Sequence, residues 1–95
     1  MQLPVILDCD AVECAYNTER RCHAAAITVG DGMKAACDTY WRANQKGGNP
    51  DVQGEVGACR ADGCRHNSRL ECTAPEGIRV GHRGGEVDCL TFSPR

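Results

Sequence analysis

The sequence predicts a small metal-stabilised, cysteine-rich fold: two tandem mini-domains, each with a short antiparallel β-hairpin, irregular loops and little helix. Three observations predict it. Eight of the 95 residues are Cys. Leu, Ile, Val and Phe together supply only 15 residues, and the aromatics are Tyr16, Tyr40, Trp41 and Phe92. So few large apolar side chains cannot build a conventional core, and a chain of this size then needs cross-links or metal. Finally, the cysteines repeat. Cys9, Cys14, Cys22 and Cys37 are spaced C-x4-C-x7-C-x14-C, and Cys59, Cys64, Cys72 and Cys89 are spaced C-x4-C-x7-C-x16-C. Agreement in both short gaps marks two copies of one unit.

Other positions follow the copy. Ala11 matches Ala61, Asn17 matches Asn67, and Ile27-Thr28-Val29-Gly30 matches Ile78-Arg79-Val80-Gly81. The organisation read from this is a first repeat over 1–41, a linker over 42–54 and a second repeat over 55–95. The linker sequence Asn44-Gln45-Lys46-Gly47-Gly48-Asn49-Pro50-Asp51 is polar and rich in turn formers, so it is expected to be flexible.

Within a unit, Pro4–Leu7 reads as an extended segment leading to Cys9. Tight loops are expected up to Cys22, with Asn17-Thr18 and Asn67-Ser68 as turn residues because Asn tolerates left-handed backbone. Ile27-x-Val29 and Ile78-x-Val80 alternate as strands do. Gly30-Asp31-Gly32, and Gly81, Gly84 and Gly85, supply the return. The segments Cys37-x-Thr39-Tyr40 and Cys89-x-Thr91-Phe92 would be the returning strands; Met33-Lys34-Ala35-Ala36 could instead make one helical turn.

Four thiolates satisfy a tetrahedral zinc ion with no other ligand. The expected cofactor is therefore Zn2+, two ions, one per repeat, held by Cys9, Cys14, Cys22 and Cys37 and by Cys59, Cys64, Cys72 and Cys89. No histidine recurs between the repeats: Thr73 stands where His23 does, His66 faces Tyr16, and His82 lies in the variable loop. C-x4-C is wider than the usual zinc knuckle, so a disulfide framework of two bridges per repeat stays open. A structural zinc contributes about 10–16 kcal/mol in small zinc peptides, against about 4–8 kcal/mol for two disulfides. Under this reading Cys14→Ser unfolds the first repeat and leaves the second loaded.

The motif Cys9-x4-Cys14-x-Tyr16-Asn17-x4-Cys22-x-Ala24-x2-Ile27-x-Val29, followed by Cys37-x-Thr39-Tyr40, resembles the bacterial module known as domain of unknown function 1540. The second copy resembles it through Asn67, Cys72-Thr73-Ala74, Ile78-x-Val80 and Cys89-Leu90-Thr91-Phe92. His66 replaces that family's Tyr, Tyr40 its Phe, and one extra residue precedes Ile78. The resemblance implies a small cysteine-rich unit, in tandem here, in a bacterial protein.

The leading functional expectation is a zinc-binding adaptor or structural module. The alternatives are metal storage or buffering, as in a metallothionein, and a disulfide-stapled extracellular or spore-surface domain. A thiol switch is also conceivable, since Arg20, Arg21, Arg60 and Arg65 lie near cysteines in sequence, though these arginines more simply offset negative thiolates. Net charge −2 disfavours nucleic acid as a partner despite Arg60, Arg65, His66 and Arg69. No catalytic residues and no organic cofactor are expected: no Ser/His/Asp arrangement recurs, and Gly81-His82-Arg83-Gly84-Gly85 lacks a phosphate-loop context. The N-terminal segment carries no basic stretch and meets Asp8 early, which suggests a cytoplasmic protein. An unknown protein partner, no membrane span and a monomer are expected, as no apolar run approaches the roughly 20 residues of a span. Tyr40, Trp41 and Phe92 are expected to plug the sites.

Overall fold

A computed structural model describes residues 2–30 and 32–95, so Asp31 of the expected turn lies outside the described residues. The described residues contain nine short strands and no helix. They are β1 (Ile6–Cys9), β2 (Asn17–Thr18), β3 (Arg21–Cys22), β4 (Ile27–Val29), β5 (Val56–Cys59), β6 (Asn67–Ser68), β7 (Glu71–Cys72), β8 (Ile78–Arg83) and β9 (Glu86–Cys89).

The expected hairpin forms in the second repeat. β8 and β9 pair antiparallel from Val80↔Cys89 to Arg83↔Glu86, turning through Gly84 and Gly85. Both turn glycines have positive φ, 58° and 86°, the backbone of a two-residue turn that matches strand twist. In the first repeat the same return is reduced to one bridge, Val29↔Cys37. The Cys37–Tyr40 segment differs from the expected strand: it turns, with the Tyr40 N–H donating to the Cys37 carbonyl at 3.2 Å. Met33–Ala36 forms no helical turn, and Ala36 bridges Asp88 instead.

The pairing between repeats was not legible in the sequence. β1 of the first repeat runs parallel to β8 of the second, with Ile6↔Ile78 and Cys9↔Val80 in register. β5 of the second repeat runs parallel to β4 of the first, with Ile27↔Val56 and Val29↔Cys59. Each ladder is irregular one step after its first pair, so the two are copies down to the bulge. The repeats have exchanged strands reciprocally.

A pseudo-two-fold axis follows from this exchange. Val5 and its equivalent Glu55 bridge each other antiparallel, as do Ala36 and its equivalent Asp88. The hydrogen bonds there are reciprocal: Cys37 N–H to the Val87 carbonyl and Cys89 N–H to the Ala35 carbonyl, both 2.8 Å. The largest fully buried side chains, Ile6, Ile78 and Val56, all stand on the inter-repeat ladders. Two cysteine-rich halves therefore share one core rather than each burying its own.

The connector is hydrogen-bonded to the first repeat. Gly47 N–H donates to the Ala15 carbonyl, Asn49 N–H to His23 and Gly54 N–H to Cys22, at 2.8, 3.0 and 2.7 Å. The Lys46 ammonium donates to the carbonyls of Val12 and Cys14, and the Gln53 amide to that of Ile6. Polar residues in this stretch are thus spent on the backbone of the first repeat.

Candidate functional site

Strand ends and tight turns place the cysteines. Cys9 and Cys59 close β1 and β5; Cys22 and Cys72 close β3 and β7. Cys14 and Cys64 sit in the intervening turns, their N–H groups bonded to the carbonyls of Ala11 and Ala61. Cys89 ends β9, and Cys37 stands at the single bridge to Val29.

The two turns that join β2 to β3 and β6 to β7 are built from residues that usually avoid them. Glu19, Arg20, Arg69 and Leu70 all have φ between 55° and 67°. The left-handed positions were expected two residues earlier, at Asn17 and Asn67. Those asparagines are instead buried clasps. The Asn17 amide donates to the Cys9 carbonyl at 2.8 Å and accepts from Arg20 N–H at 3.1 Å. Asn67 repeats both bonds with Cys59 and Leu70 at the same lengths. In return the carbonyls of Arg20 and Leu70 accept from Cys9 and Cys59 N–H at 2.9 and 3.0 Å. The unusual turn aims a carbonyl at the cysteine strand.

The four cysteines of the first repeat all line one small cavity of about 20 Å³, together with Ile6, Tyr16, Asn17, Ile27, Tyr40 and, from the second repeat, Val80 and Val87. The four of the second line a matching cavity of about 20 Å³, with His66 in the place of Tyr16, Phe92 in that of Tyr40, and Val29 and Ala35 from the first repeat. All eight cysteines are free thiols. Each cavity gathers the four cysteines of one repeat, without a formed coordination shell among the described residues. Among the described residues no group of three or more His, Cys, Asp or Glu is arranged to hold a metal ion.

Burial and backbone N–H groups act on these sulfurs in opposite directions. Burial pushes the Cys37 and Cys89 thiols up to about 11, opposed by N–H groups of Thr39 and Tyr40 and of Thr91 and Phe92. Burial likewise raises Cys9, Cys22 and Cys72, opposed by the N–H groups of Ala11, Ala24 and Ala74. Trp41 N–H donates to Cys14 Sγ at 3.5 Å and His66 N–H to Cys64 Sγ at 3.4 Å. Amide donors aimed at sulfur stabilise the thiolate over the thiol. Each cavity is thus lined by thiols with few other polar groups and is ringed by such amides.

Thr39 and Thr91 gain a role that the sequence did not reveal. Their hydroxyls accept from the N–H groups of Thr28 and Arg79 at 3.1 and 3.0 Å, tying the last cysteine of each unit to its central strand. Tyr40 and Phe92 cover their cavities as expected, but Trp41 does not; it is 67% exposed. Arg60, one of the arginines near cysteine in sequence, pairs with Asp38 at 2.8 Å. No helix of the described residues is long and apolar enough to cross a membrane.

A pair of four-cysteine units without helix among the described residues, interlocked about a pseudo-dyad, defines a small cysteine-rich module in tandem. The family model for Domain of Unknown Function (DUF1540) matches residues 7–46 and again 58–92. The chain belongs to that family and carries its domain twice. No curated protein and no solved structure matches it.

Proposed function

We propose that the protein is a bacterial, cytoplasmic zinc-binding module that serves as an adaptor or structural element and catalyses no reaction. One ion would be held per repeat, by Cys9, Cys14, Cys22 and Cys37 and by Cys59, Cys64, Cys72 and Cys89. The observation that carries this reading is the convergence of four free thiols on one small cavity, twice. Four thiolates fill a tetrahedron and leave no open position for a substrate or an activated water. That favours a structural ion over a catalytic one, with a protein partner meeting the exposed loops.

Native mass spectrometry of protein purified without added metal or oxidant tests the reading. A mass raised by two zinc ions and lost on denaturation is the expected result. More than two ions would replace the structural role with metal buffering. A mass lowered by the hydrogens of four disulfides would overturn zinc in favour of a stapled extracellular or spore-surface domain.

A further inference from the structure

Two rows of residues cross the molecule from one cysteine site to the other. In the first, Val80 is in register with Cys9 on one side and Cys89 on the other. In the second, Val29 is in register with Cys59 on one side and Cys37 on the other. Each row therefore joins a thiol of one site to a thiol of the other through a single valine. Val80 is 3% exposed and Val29 is 2% exposed, so neither row has slack to absorb a shift at one end. Each valine also lines the cavity opposite its own repeat.

We infer that the two four-cysteine sites are energetically coupled and load metal cooperatively. The inference rests on the zinc reading above. Drawing Cys9 and its three partners onto an ion orders β1, and β1 holds the Val80 strand that positions Cys89. The second site then meets its ion with part of the ordering done, which is positive coupling between sites. The dyad reinforces it, since Cys37 and Cys89 N–H bond to carbonyls of the opposite repeat. Independent loading, the expectation from two separate repeats, does not fit strands shared in this way. Cys14→Ser should loosen both sites rather than one.

The test is a zinc titration of the reduced, metal-stripped full chain, read by native mass spectrometry at substoichiometric zinc. Metal-free and two-zinc species should dominate. The second ion should bind at least about fivefold more tightly than statistics allow, the lower end of typical allosteric coupling. A statistical share of one-zinc protein would overturn the coupling and leave the zinc reading standing. Absence of zinc uptake at any ratio would overturn both. As a second measurement, Cys64→Ser with equimolar zinc should speed amide exchange at Asp10 and Cys37, in the untouched repeat, by about fivefold or more. Unchanged protection there would sink the coupling even if the variant lost its own site.

Discussion

Asn17 and Asn67 each use both ends of one amide to lock a cysteine strand to a hairpin turn. Their burial at 2% and 5% leaves no water to replace those bonds. Asn17→Ala should therefore lower stability by about 1–3 kcal/mol, measured as a shift of the urea midpoint; an unshifted midpoint would remove the clasp. The turn beyond each clasp offers the reverse test. A non-glycine residue in left-handed backbone costs roughly 1–2 kcal/mol, and Leu70 sits there at φ 67° with its side chain half exposed. Leu70→Gly should raise Tm by about 4–8 °C for each kcal/mol relieved. A lowered Tm would mean that the leucine side chain matters more than its backbone. The sequence marked Asn17-Thr18 and Asn67-Ser68 as turn residues, but they form β2 and β6, and the turns follow them. It could not show that the strain falls beyond Thr18 and Ser68, because Glu-Arg and Arg-Leu carry no left-handed signal.

Elements were legible where pattern is local. Ile27-x-Val29 and Ile78-x-Val80 became strands, and Gly84-Gly85 became the hairpin turn. Pairing between the copies left no mark, since the same alternation serves a strand whichever repeat lies beside it. The connector's contacts left no mark for a related reason: Gly, Asn and Lys look solvent-seeking whether or not backbone groups await them. Gly54 shows how closely this segment fits. A Cβ there would stand 2.7 Å from Cys22 Sγ and 3.1 Å from Ile6 Cδ1, inside contact distance. Gly54→Ala should cost about 1–3 kcal/mol by overpacking. Under the proposed zinc reading it should weaken retention of the first site's ion more than the second's, as read by chelator competition; equal effects on both would mean the strain spreads through the core.

At the scale of the whole molecule, the cysteine sets were the most legible part of the candidate site, because spacing alone grouped them by cavity. What spacing could not show is that each cavity borrows walls from the other half. Burial of so many thiols also sets the response to pH. For the metal-stripped, reduced protein, Cys37 and Cys89 are lifted from an ordinary 9.0 to about 11. A raised thiol favours the folded state while it stays protonated. That contribution is complete below about pH 9 and is lost as pH climbs through about 11. The urea midpoint of the stripped protein should fall across that interval; a rise would contradict thiol burial.

Trp41 breaks the near-symmetry in a useful way. It is the single Trp of the chain, and Ser93 stands in its place in the second repeat. Its backbone N–H rests on Cys14 Sγ, while the indole faces solvent. Indole emission therefore belongs to one half of the molecule, the half that also holds both tyrosines. Excited in its own band, that chromophore gives the first thiol pocket a native optical label and leaves the second dark.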